Sequence, residues 1–143
     1  MAHGKALTDD DRAGWLAAIR DSCTSKALSP SNPNGIVATC SALKKCYRDT
    51  LRDNSEHKNV ETHFILLEAG EEELIKRVSG RKNHYMGADM VKSQLEILEM
   101  PTERERDVMV LNCEREEETV ASEACGLISG LLTSGRGLIE SQL

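Results

Sequence analysis

No two cysteines in this 143-residue sequence have CxxC spacing, and their number is odd: Cys23, Cys40, Cys46, Cys113 and Cys125 are scattered along it. No disulfide framework is implied, so the thiols read as reduced and the expected compartment is the cytoplasm. No apolar run approaches the ~20 residues a bilayer-spanning helix needs, and Ala124 to Leu132 is interrupted by Gly and Ser. The amino terminus carries no signal-peptide core. Positive charge is not in excess either. Eighteen Lys+Arg against 24 Asp+Glu leave a net charge of -6, which argues against nonspecific binding to nucleic acid or to a membrane surface. His3, His57, His63 and His84 show neither HExxH nor paired Cys/His spacing, so no metal site is expected. The glycine fingerprint of dinucleotide binding is absent. So is the phosphate-cradling GxxxxGK[ST] motif, because Gly4-Lys5 is followed by Ala6.

What is present is an alternation of apolar runs and helical patterns over a length that suits one domain. Thr8 and Asp9 to Asp11 precede Trp15, Leu16, Ile19 and Cys23 at helical spacing, predicting a helix from about Asp9 to Lys26. Capping and the helix dipole account for the acids; Arg12, a cation in a first turn, is not explained that way. After the turn cluster Ser29 to Gly35, the run Ile36 to Ala38 reads as a buried parallel strand. A basic helix follows from Ala42 to about Asn54, with Leu43, Tyr47 and Leu51 on one stripe. Val60 to Leu67 predicts a second strand, Glu71 to about Gly80 a helix, Asp107 to Asn112 a third strand, and Glu116 onward a last helix. The basic, glycine-punctuated segment from Arg81 to Pro101 suits either a mobile lid over an anionic substrate or an ordinary helix pair.

In open α/β sheets ligands collect beyond the carboxyl ends of the strands. That places Ser41, Lys44 and Arg48 where an oxygen-rich ligand would meet them, with a core strand leading into a solvated basic helix as the plain alternative. Cys40 has no neighbouring histidine to act as base and reads as a small buried residue. Phosphoryl transfer, which demands mainly positioning and positive charge, suits three loops bearing Arg or Lys.

Four spaced blocks then carry a resemblance: Leu7-Thr8-Asp9-Asp10-Asp11-Arg12-x-x-Trp15-Leu16; Cys40-Ser41-Ala42-Leu43-Lys44-x-x-Tyr47-Arg48-Asp49-x-Leu51-Arg52; Arg81-Lys82-x-His84-Tyr85; and Ser93-Gln94-x-x-x-Leu98-Glu99-x-Pro101. In this order they resemble the gluconokinase family over roughly residues 1 to 128. The resemblance implies a P-loop kinase fold of the nucleoside-monophosphate-kinase and shikimate-kinase type, with a parallel sheet, flanking helices and a helical lid. It implies transfer of the γ-phosphoryl group of ATP, with Mg2+, to the 6-hydroxyl of D-gluconate, feeding the pentose phosphate pathway. In the family the DDDR block follows a first strand, a P-loop, its helix and an Asp-Gly-Asp loop. The expectation is therefore an incomplete kinase domain over residues 1–133, with a lid at about 81–101 and a frayed tail at 134–143.

Carried over by motif, Arg12, Ser41, Lys44 and, less directly, Arg48 would bind the sugar acid. Arg77 and Arg81 would stand near the transferring phosphoryl group, and His84 and Gln94 would shape the lid. The cofactor-binding P-loop and the expected base lie outside these motifs, and no metal ligands are assigned. Two alternatives stay open beside the kinase. One is a noncatalytic protein that binds a sugar acid or pairs with another subunit, a homodimer included; the other is a kinase for a different small hydroxy acid.

Overall fold

The structure is a computed structural model that describes residues 8–31, 35–80 and 88–140, with side chains omitted at 88, 89 and 134–140. It holds helices α1 (Asp9–Ala27), α2 (Lys45–Arg52), α3 (Glu71–Ser79), α4 (Ala88–Glu96) and α5 (Glu117–Glu140), and strands β1 (Phe64–Glu68) and β2 (Val108–Asn112). Contacts divide the chain into two compact units, Met1–His63 with Ile97–Glu105, and Phe64–Glu96 with Arg106–Leu143. The sequence predicts one.

In the first unit α1 begins at a capping box. The Thr8 hydroxyl accepts from the Asp11 N–H at 3.2 Å, and the Asp11 carboxylate accepts from the Thr8 N–H at 2.9 Å. The Thr8 hydroxyl, which also donates to the Asp11 carboxylate at 2.6 Å, and then the Thr8 N–H hold the Asp11 carboxyl below its usual range. Thr8→Ala is expected to destabilise the chain by about 1 kcal/mol, read as a lower urea midpoint at unchanged slope. Adjacent helical residues point about 100° apart, so Trp15 and Leu16 cannot both face inward. Leu16 is buried with Tyr47 and Leu51 of α2, whereas Trp15 is 53% exposed. Asn54 ties the unit together: it accepts from Thr24 Oγ1 at 3.2 Å and donates to Val60 O at 3.2 Å and Thr62 Oγ1 at 2.9 Å.

One expected element is corrected. Residues 35–43 form neither strand nor helix, and Val37 is 81% exposed. A strand exists only through its ladder partners, and the apolar run Ile36 to Ala38 stays unladdered. The expected helix from Ala42 also starts later, at Lys45, because Ala42 has φ +36° and Lys44 is extended.

In the second unit β1 and β2 pair in parallel, from Phe64 opposite Val108 to Glu68 opposite Asn112. Both strands and their parallel pairing agree with the sequence, β1 starting later than Val60. Leu111, 1% exposed, is the most deeply buried side chain described, while Leu67 and Val110 remain 57% and 44% exposed. Helices α3 and α4 pack together within the crossover between the strands. Helix α5 runs on to Glu140, through the stretch from Ser134 that the sequence suggests as a tail. No described helix is long and apolar enough to cross a membrane.

Candidate functional site

Helix α1, the residue before α2 and the first turn of α2 bring four polar side chains of the first unit together. Lys44 Nζ donates to Asp9 Oδ2 at 2.7 Å and Oδ1 at 2.9 Å. The Tyr47 hydroxyl donates to Asp9 Oδ1, and Arg12 Nη1 donates to the same hydroxyl at 2.9 Å. The Arg12 guanidinium and the Lys44 ammonium lie 5.5 Å and 5.6 Å from the Tyr47 ring centroid, within cation–π range. The hydrogen bonds from Lys44 and then Tyr47 hold the Asp9 carboxyl below its ordinary range, and the bond to Asp9 raises Lys44. Arg12 therefore has the reason that the helix dipole denied it: it stands against Tyr47. Ser41 is exposed on the loop before α2, three residues before Lys44.

Arg48, on α2, is buried beneath that loop. Its Nε and Nη2 donate to Glu105 Oε1 and Oε2, each at 2.9 Å, and its Nη1 donates to the carbonyls of Ala42 at 3.3 Å and Leu43 at 3.2 Å. Both members of the ion pair are 3% exposed. Arg52 reaches Glu105 Oε1 at 2.9 Å as well. The expectation that Arg48 contacts substrate thus meets a guanidinium engaged with protein acceptors on every side it presents. Glu99 completes the turn, donating its N–H to Leu43 O at 2.9 Å and accepting from the Lys45 N–H at 2.7 Å, which satisfies one open donor of α2.

In the second unit the carboxyl ends of β1 and β2 carry their own cluster. Arg77 donates Nε to Glu73 Oε1 at 2.8 Å and Nη2 to Cys113 O at 2.6 Å, just beyond β2. The bond to Glu73 raises Arg77 and lowers Glu73. Glu114 accepts from the Gly70 N–H at 2.7 Å, capping α3, and a Cβ at Gly70 would come within 3.1 Å of that oxygen. Gln94 is half-buried on α4. Arg81 and His84 lie outside the described residues.

Asp9 and Tyr47 are members of this cluster that sequence reasoning missed, because a first-turn acid is sufficiently explained by the dipole and a periodic tyrosine by the core. Among the described residues no group of three or more His, Cys, Asp or Glu could hold a metal ion. An open cleft of about 430 Å³, lined by Ala27, Leu28, Ser29, Gly35, Asn59, Val60 and Glu61, contains none of the predicted site residues.

No protein-family model matches the sequence. Curated proteins do. Over 136 residues the chain is 43% identical to a probable gluconokinase of Schizosaccharomyces pombe, covering 95% of this chain and 70% of that protein. It is 35% identical over 128 residues to the thermoresistant gluconokinase of Escherichia coli, covering 90% and 69%. Against a probable gluconokinase of Saccharomyces cerevisiae it is 45% identical over 101 residues, and there it spans only 51% of the relative's length. The crystal structure of a gluconokinase from Sinorhizobium meliloti superposes with a TM-score of 0.75 at 32% identity, over 94% of this chain and 70% of that one.

Proposed function

The chain belongs to the gluconokinase family, and from that premise we propose that the face formed by Arg12, Ser41 and Lys44 is the sugar-acid side of a kinase cleft. Its fold is of the P-loop kinase type, a parallel sheet with flanking helices. The reaction of the whole enzyme is transfer of the γ-phosphoryl group of ATP to the 6-hydroxyl of D-gluconate, giving 6-phosphogluconate. The observation that carries this reading is the pair of cations, Arg12 and Lys44, held against the Tyr47 ring by residues of the DDDR and CSALK blocks.

Their chemistry suits the ligand. A sugar acid presents one carboxylate and a row of hydroxyls. Arg12 offers a planar fork for the carboxylate, and Lys44 an ammonium with three donors, two of them directed at Asp9. Asp9 keeps that ammonium oriented, and the exposed Ser41 hydroxyl can donate or accept toward the sugar chain. Arg48 acts from behind the loop. Arg77, with Arg81, is the cationic group assigned to the transferring phosphoryl; His84 and Gln94 are assigned to a lid over residues 81–101 of a kinase domain spanning 1–133. ATP brings the phosphoryl group, with Mg2+ as its usual companion. The residues present do not fit a cradle for that pair, since the sequence has no GxxxxGK[ST] motif and the described residues have no group of three or more His, Cys, Asp or Glu able to hold a metal ion. The described cysteines are all unpaired, which suits a reducing cytoplasm.

The missing motif favours one second reading, a noncatalytic protein that retains sugar-acid binding or pairs with another subunit, a second copy included. Both readings share the binding site. Calorimetry with D-gluconate is expected to give saturable heat, and Arg12→Ala or Lys44→Ala to weaken binding tenfold or more, as loss of a charge-assisted hydrogen bond does. A parent chain silent to gluconate, or variants that bind as tightly as the parent, overturns the assignment.

A further inference from the structure

We propose that Glu105 and Arg48 are positioning residues for the Ser41–Lys44 loop: Glu105 grips the Arg48 fork, and Arg48 in turn holds the loop in a left-handed turn at Ala42. The inference rests on the reading of that loop as the sugar-acid side. Its starting point is a conflict between a residue and its backbone. Ala42 has φ +36°, the one described non-glycine residue with positive φ, a region that costs an L-residue with a Cβ and persists only where its surroundings impose it.

The surroundings impose it through three side chains. Arg48 Nη1 collects the carbonyls of Ala42 and Leu43, so the two oxygens turn toward one donor. The guanidinium cannot swing away, because its other edge is a two-bond fork on a carboxylate that is itself buried. Glu99 fixes the next step by bonding Leu43 O and the Lys45 N–H. Lys44 leaves this turn with extended backbone and its ammonium on Asp9, which is how the cation comes to lie over Tyr47. A fold-only role for the ion pair would require none of the bonds to the loop carbonyls.

The test couples positions 42 and 105. Glycine takes positive φ without a Cβ penalty, so A42G frees the turn from the grip that imposes it. Glu105→Gln, which keeps volume but loses the charge, is expected to weaken gluconate binding about tenfold at a temperature where the chain remains folded. Adding A42G is expected to recover most of that loss. If E105Q lowers the melting temperature while gluconate affinity stays within twofold of the parent, or if A42G recovers nothing, the positioning role is wrong.

Two further arms keep the test decisive. Should E105Q fail to fold, A42G alone decides: release of an imposed turn raises the melting temperature by ~2–4 °C, whereas an unstrained turn would lower it. Should the parent give no heat with gluconate, the sugar-acid reading fails by itself, and the positioning role is read from amide resonances. E105Q is then expected to shift Ala42 to Lys44, with A42G returning Lys44 toward its parent position. Unmoved loop amides overturn the proposal.

Discussion

Glu105→Ala is expected to destabilise the chain by about 3–5 kcal/mol, the cost of leaving a buried guanidinium without its carboxylate. Domains hold only ~5–15 kcal/mol in total, so this single change takes a large share of the stability. Arg48 and Glu105 are each 3% exposed, and water cannot replace the lost partner as it does at the exposed Lys45–Asp49 pair. Replacing both partners by apolar residues of matched volume is expected to cost less than either single removal, because no charge is then stranded. Urea midpoints of the two single variants and the double variant test this.

The same pair sets an acid limit. Hydrogen bonds from Arg48, reinforced by Arg52, lower the Glu105 carboxyl from 4.5 to about 2. A folded-state value below the unfolded one means that the stabilisation is fully present above about 4.5 and is lost as pH falls toward about 2. Asp9, Asp11, Asp49 and Glu73 are lowered as well, each first by a hydrogen bond, so they add to the acid loss in the same direction. Denaturant titrations between neutral pH and pH 2 are expected to show a falling midpoint, and a shallower fall in Glu105→Gln than in the parent. Equal slopes would mean that the pair contributes nothing to the acid transition.

Turnover is the second large expected effect, and its direction is loss. A coupled assay supplying ATP and D-gluconate to the 143-residue protein is expected to read less than about a thousandth of the 1–100 s⁻¹ typical of kinases. The reason is chemical. Phosphoryl transfer relies on a backbone-amide cradle, a phosphate-binding lysine and a metal-holding hydroxyl, and the GxxxxGK[ST] motif that supplies all three is not in the sequence. Gluconate binding draws on other residues and is expected to survive, so heat without turnover is the anticipated combination. A rate near that of an intact kinase would show that another set of donors holds the nucleotide.

Much of the second unit is legible in the sequence. The runs containing Phe64–Glu68 and Val108–Asn112 are dense in apolar residues and bounded by turns, so both strands appear, paired in parallel. Ile36 to Ala38 has the same signature and forms no strand, because composition reports what could be buried and not whether a ladder partner is present. The residues of the proposed site split by a similar logic. Arg12, Ser41 and Lys44 sit in spaced motifs and were accessible, whereas Asp9 was hidden by its adequacy as a first-turn acid. The buried pairing of Arg48 with Glu105 has no sequence signal. An arginine in a basic helix and a glutamate in Thr102-Glu103-Arg104-Glu105-Arg106-Asp107 both look like solvated surface, and only the tertiary approach of residues 57 positions apart reveals a buried fork.

Trp15 has a practical consequence for all of these measurements. It is the only tryptophan in the sequence, and with about half of its surface in water it already emits from a largely aqueous setting when the protein is folded. Its fluorescence is a poor witness to the loss of the Leu16–Tyr47–Leu51 core one residue away, and a flat emission trace should not be taken for a protein that resists denaturant. Far-ultraviolet circular dichroism, fed by the five described helices, is the signal to follow.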